Sequence, residues 1–163
     1  MPGGGKSTVG KDLARQLGCD FVDCDKEIER RSGSTIVALF ARDGEAAFRE
    51  LEAATLADVI EQGAAVIATG GGAVLSRTNR ALLRERTRCV YLRAGPDFLW
   101  RRLRRDRRRP LLQVPDPQRR LQELSDEREP LYLETAHIVV DIEGLTFDRL
   151  VDSILDRLAS EAA

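Results

Sequence analysis

Hydrophobic residues fall into two kinds of pattern along the chain. Short apolar runs at 21–22, 65–69, 89–92 and 138–142 read as strands. Between them, apolar residues recur at three- and four-residue spacing, the mark of a helix with one buried face. Val9, Leu13 and Leu17 stripe a helix that continues over 10–17 and ends at Gly18. Helical segments follow at 26–31 and 36–41. A longer one at 45–61 carries Phe48, Leu51, Leu56 and Val59 on one face. Further helices are predicted at 78–86, from Pro96 onward, over 118–135 with a break or kink near Pro130, and over 147–158. The stretch 106–117 is polar, basic and punctuated by proline, which predicts a mobile loop.

Strands that alternate with helices predict an α/β fold, a parallel sheet covered by helices on both faces. No repeat, linker or compositional break divides the 163 residues, so 1–163 reads as one domain. The longest apolar runs, 64–68 and 138–140, are far too short to cross a bilayer. The N-terminus has no basic segment followed by an apolar stretch, so a cytoplasmic protein is expected. Cys19, Cys24 and Cys89 show no metal-ligand spacing and read as reduced thiols. A net charge of −1 excludes a general attraction to nucleic acid or anionic membranes. Only Lys6, Lys11 and Lys26 of the 26 basic residues are lysine, and arginines crowd between Arg101 and Arg109. Arginine suits planar, bidentate contact with phosphate or carboxylate.

Gly3-Gly4-Gly5-Lys6-Ser7-Thr8 is the tail of a Walker A loop. Its glycines let successive backbone N–H groups turn toward phosphates, and the helix beyond them adds its positive end. In this motif Lys6 reaches the β- and γ-phosphates and the Ser7 hydroxyl binds Mg²⁺. A flexible glycine tail is the bland reading, but the stripe of Val9, Leu13 and Leu17 argues against it. The full pattern G-x-x-x-x-G-K-[ST] calls for a glycine one place before Met1, with a strand ahead of it. We therefore expect a start at an internal methionine, and a sheet of about five strands without its first. A lost central strand would leave the hydrogen-bonding edges of its neighbours uncovered.

Other candidates lie downstream. Asp23-Cys24-Asp25 ends a strand, where ligands bind in open parallel sheets, and alternation puts both carboxylates on one side if the strand stays extended. A helix N-cap is the competing role for such an aspartate. Gly70-Gly71-Gly72 comes after an apolar strand, and three glycines there permit close backbone approach to a ligand. Arg49, on a helix rich in charge, reads by default as exposed. The arginine cluster could be a solvated basic loop. A nucleic-acid footprint would be wider and interleaved with aromatics, whereas Phe98 and Trp100 point apart on a helix. His137, the only histidine, begins a strand and reads as structural.

At four separated places the sequence resembles the shikimate kinases: Asp23-Cys24-Asp25, Phe48-Arg49-Glu50, Thr69-Gly70-Gly71-Gly72, and Arg107-Arg108-Arg109-Pro110-Leu111-Leu112 with Arg128-Glu129-Pro130-Leu131-Tyr132. The resemblance runs to about Asp141. It implies a P-loop kinase three-layer sandwich with a mobile lid at about 106–117. It also implies transfer of the γ-phosphate of ATP to the 3-hydroxyl of shikimate, on the chorismate route to aromatic amino acids. By that resemblance Gly3, Gly4, Gly5, Lys6, Ser7 and Thr8 cradle Mg·ATP, and Mg²⁺ sits on Ser7 with Asp23 nearby through water. Asp25 holds the shikimate hydroxyls and acts as base, Arg49 and Arg128 grip the carboxylate, and Gly70, Gly71 and Gly72 offer backbone N–H groups. Arg109 in the lid joins Lys6 over the transferring phosphate, and Arg102 stacks on adenine. At the family's second adenine contact stands Glu143-Gly144-Leu145, with no arginine or glutamine to match it. Small molecules are the expected partners, with neither nucleic acid nor membrane, and the enzyme is expected to be a monomer. Two alternatives share residues 3–8: another small-molecule kinase of gluconate or nucleoside-monophosphate type, and a non-catalytic binding homologue. The first gives no reason for the downstream combination; the second predicts shikimate or nucleotide binding without turnover, although Lys6, Ser7, Asp25 and Arg109 are all retained.

Overall fold

The computed structural model describes residues 1, 3–63, 65–104 and 110–162. Helix α1 (Lys6–Leu17) precedes strand β1 (Asp20–Asp23), which leads into α2 (Cys24–Ser32) and α3 (Ile36–Glu61). Strand β2 (Ala65–Ala68) leads through a short 3₁₀ turn, Ala73–Leu75, to α4 (Arg77–Arg86). Then come β3 (Val90–Arg93), α5 (Pro96–Leu103), a second 3₁₀ turn (Pro110–Leu112), α6 (Pro117–Thr135), β4 (Ile138–Asp141) and α7 (Phe147–Ala162). The predicted segments 36–41 and 45–61 are the two arms of α3, which bends at Gly44 (φ +81°). Helix α6 continues through Pro130. Among the described residues, no helix is long and apolar enough to cross a membrane.

All four predicted strands form, and all pair in parallel. Asp20 to Asp23 of β1 lie opposite Ala65 to Ala68 of β2, and Val90 to Arg93 of β3 lie opposite Ile138 to Asp141 of β4. Among the described residues these are two separate two-stranded units, not one sheet. A cavity of about 570 Å³ lies between them, lined by Val66 and Ala68 of β2, Val90 and Leu92 of β3, and Val9 and Leu13 of α1.

Helices cover both sides of the strands. Tyr91 and Leu92 are neighbours in β3 and so point to opposite faces, yet both are buried. The main core joins these strands to α5, α6 and α7 through Leu99, Leu121, Val151 and Ile154, each fully buried. A second cluster of Ile28, Leu39 and Phe48 ties α2 to both arms of α3. Helix α1 adds Val9 and Leu13 to the main core and packs against β1, β2 and α7.

Gly10 makes that approach of α1 possible. A Cβ added there would stand 2.6 Å from Cε2 of Phe21 on β1. Gly10→Ala thus sets two effects against each other: helix propensity favours alanine by about 1 kcal/mol, while overpacking costs about 1–3 kcal/mol. The expected outcome is a lower urea midpoint with an unchanged slope. A rise in the midpoint would show that Phe21 yields freely.

Candidate active site

The glycine loop leads straight into α1. Gly3 and Gly5 hold φ of +76° and +79°, a left-handed conformation that side chains rarely adopt. Gly5 is the N-cap of α1 and supplies no side-chain cap. The first-turn N–H groups of the helix therefore point into the loop, the arrangement that receives anions. Lys6 donates from Nζ to the Met1 carbonyl at 2.9 Å. Thr8 is exposed one residue beyond Ser7. Arg102 comes from α5 to stand beside the loop: a Cβ on Gly5 would lie 3.5 Å from its Nη2, and its guanidinium covers the Phe98 ring.

The loop is joined to the end of β1 by one hydrogen bond. Ser7 Oγ donates to Asp23 Oδ2 at 2.6 Å. The other carboxylate oxygen, Asp23 Oδ1, accepts from the backbone N–H groups of Asp25 (3.1 Å) and Lys26 (3.3 Å) and so caps α2. Of the roles that the sequence left open, Asp23 takes that of the helix N-cap, while its second oxygen reaches the loop. The extended arrangement of Asp23 and Asp25 does not form, however. Helix α2 begins at Cys24, because the Asp23 cap turns the chain there, and Asp25 lies in its first turn. Cys24 is buried, and burial, with the Asp25 and Asp23 charges beside it, pushes its thiol up to about 12.

Asp25 faces the glycines after β2. A Cβ on Gly70 would sit 3.0 Å from Asp25 Oδ1 and 2.5 Å from Glu52 Oε1, so two carboxylates converge on that backbone. A Cβ on Gly72 would fall inside the Arg49 guanidinium. Arg49 is pinned there: Nη1 donates to Glu52 Oε2 at 2.7 Å, Nη2 donates to Glu45 Oε1 at 3.1 Å, and its cation lies over Phe48.

Glu52 is a site residue that the sequence motifs do not single out. It is 2% exposed, and among the described residues its Oε1 has no hydrogen-bond partner. Burial raises its pKa, the Arg49 charge opposes the rise, and Asp25 adds to it. The spacing Arg49-x-x-Glu52 on a striped helix was the available signal. Arg128 on α6 is also buried, has an unpartnered Nε among the described residues, and lowers the Glu52 pKa by its charge. Beside it, the Tyr132 hydroxyl donates to the Gly71 carbonyl at 2.5 Å.

The structure therefore brings Asp25, Arg49, Gly70, Gly71, Gly72 and Arg128 together, and joins Ser7 to Asp23. Arg109 and positions 106–108 of the predicted lid lie outside the described residues. His137 is structural: its Nδ1 accepts from the Cys89 N–H at 3.1 Å, linking the starts of β3 and β4. Ser7 and Asp23 offer hard oxygen donors, and no cluster of three metal-ligating side chains occurs among the described residues. That fits Mg²⁺, which keeps several waters and phosphate oxygens rather than a full protein cage. Chemically, an anion cradle stands beside a pocket that holds two guanidiniums and two carboxylates.

Comparison with known proteins identifies the family. The family model described as shikimate kinase matches residues 2–159. A shikimate kinase of Paracidovorax citrulli is 51% identical over 161 residues, covering 97% of this chain and 88% of its own. One from Burkholderia pseudomallei is 47% identical over 158 residues, covering 97% and 86%. The structure of shikimate kinase from Acinetobacter baumannii in complex with shikimate superposes with a TM-score of 0.94 at 41% identity, over 98% of this chain and 90% of that one. The Bacteroides thetaiotaomicron enzyme gives 0.85 at 35% identity, over 98% and 93%. With a family model that matches nearly its whole length, relatives about half identical to it and a matching fold, the chain belongs to the shikimate kinase family.

Proposed function

We propose that this chain moves the γ-phosphate of ATP to the 3-hydroxyl of shikimate, with the roles divided between two half-sites. The observation that carries the reading is the Ser7–Asp23 hydrogen bond, which holds the phosphate loop against the helix that presents Asp25. Donor and acceptor sites must adjoin for in-line transfer, and this bond is where they meet.

On the nucleotide side, the N–H groups of 3–8 and the ammonium of Lys6 hold the phosphates, and Arg102 flanks the base. Thr8 extends the same first turn. Ser7 directly, and Asp23 through water, would hold Mg²⁺, which when bound offsets charge on the β- and γ-phosphate oxygens. On the acceptor side, Arg49 and Arg128 take the shikimate carboxylate, with N–H groups of Gly70, Gly71 and Gly72 beside them. Asp25 orients the attacking hydroxyl and accepts its proton. Lys6 and Arg109 stabilise charge that spreads over the transferring group. Two arginines aimed at one pocket favour a carboxylate-bearing acceptor over a gluconate-type or nucleoside-monophosphate reading less committed to that pair. In this reading the enzyme works in the cytoplasm, where the thiols of Cys19, Cys24 and Cys89 stay reduced, and acts as a monomer.

The deciding experiment is ADP release from Mg·ATP with shikimate, gluconate and nucleoside monophosphates as separate acceptors. Release that requires shikimate supports the reading; release with another acceptor instead, or none at all from folded protein, overturns it. Asp25→Asn is expected to lower kcat by about 10²–10⁴ at unchanged melting temperature. Arg109→Ala is expected to cost about 10²–10³ in kcat with little change in shikimate KM. Asp23→Ala removes the cap of α2 and should cost about 1 kcal/mol of stability. It should also raise the Mg²⁺ concentration needed for half-maximal rate, and a magnesium titration that matches the parent would remove Asp23 from the metal's surroundings.

A further inference from the structure

Beyond the residues that face the proposed ligands, the structure points to one that sets their backbone. We infer that Tyr132 is a positioning residue for shikimate, acting through the glycine loop. The inference rests on the proposed reading that Arg49 and Arg128 take the shikimate carboxylate, with the Gly70–Gly72 N–H groups beside them.

Tyr132 comes four residues after Arg128 on α6, so both project from one face of the helix. Both are buried. The Tyr132 hydroxyl donates to the Gly71 carbonyl at 2.5 Å. Because a peptide group is planar and trans, holding that carbonyl also fixes the N–H of Gly72, which points the opposite way. Gly72 is also the residue whose backbone lies against the Arg49 guanidinium. One hydroxyl therefore governs the orientation of the peptide that lies beside a carboxylate-directed arginine. The Arg128 charge beside it opposes the rise in the Tyr132 pKa that burial causes.

The ring that carries this hydroxyl has little freedom. It stacks on Tyr91 of β3 with centroids 4.8 Å apart and planes inclined by 21°. Tyr91 in turn donates its hydroxyl to Glu129, three residues before Tyr132 on the same helix. A tyrosine needed only to fill the core would not require the link to Gly71, since phenylalanine would fill the same space.

The test uses three variants of the full chain, each assayed for shikimate KM, ATP KM, kcat and melting temperature. Tyr132→Phe keeps the ring and its stack but frees the Gly71 carbonyl. It should raise shikimate KM about three- to tenfold, the fold-change expected from one lost hydrogen bond. ATP KM and kcat should stay within about twofold, since uniform binding to one substrate is what is lost. Tyr91→Phe removes the other phenol of the stack and should leave shikimate KM at the parent value. Gly72→Ala displaces the Arg49 guanidinium and should raise shikimate KM by itself. If Gly72→Ala raises that KM and Tyr132→Phe does not, Tyr132 has no positioning role and only this inference falls. If neither moves it, the loop does not bind shikimate, and both readings fall together. A Tyr132→Phe protein that loses melting temperature and weakens both substrates alike marks a purely structural residue, which also overturns the inference.

Discussion

The site depends on the register of β1 on β2. Parallel pairing sends both strands out at the same edge, and the alignment of Asp23 with Ala68 makes them end level. Strand β1 runs into the first turn of α2 with Asp25, and β2 runs into the glycine turn. These two segments meet because the strands stop together. Helix α1 packs on both strands and brings its own first turn to that edge, where Ser7 reaches Asp23. A slip of one residue would turn Asp23 to the opposite face of its strand and separate it from Ser7. Three stretches distant in sequence are thus gathered by one short ladder.

The second constraint is electrostatic. Burying an ion costs several kcal/mol unless it is paired and hydrogen-bonded. Here Glu52 and Arg128 are both nearly inaccessible, and each retains an unsatisfied polar atom among the described residues. Arg49 satisfies one oxygen of Glu52, and Asp25 repels the charge on it. Such incomplete pairing is unfavourable in an empty core. In the proposed reading, a ligand with one carboxylate and several hydroxyls supplies the missing donors and acceptors.

Much of this arrangement was legible in the sequence because the chemistry is local there. A glycine run before Lys6-Ser7, and another directly after an apolar strand, announce close backbone approach whatever the rest of the chain does. The α/β class came from the alternation of periods, and the two arms of α3 came from separate stripes. The outcomes of competition could not be read. Asp23 accepts two N–H groups and ends the strand, which moves Asp25 onto a helix. Glu52 looked like one more charge on a polar helix. Its burial arises only when Gly70, Arg49 and Arg128 close around it. Tyr132 looked like part of a motif, and its partner at Gly71 is 61 positions away. The separation of the strands into two pairs, by contrast, accords with the sheet expected to lack its first strand.

Cys24 stands between the two aspartates of the site, and its environment has a chemical consequence. Thiolates, not thiols, react with peroxides and alkylating agents. The Cys24 thiol, with its pKa pushed up to about 12, stays protonated at neutral pH. Burial first, and the two neighbouring carboxylates after it, therefore keep this sulfur in its unreactive protonated form.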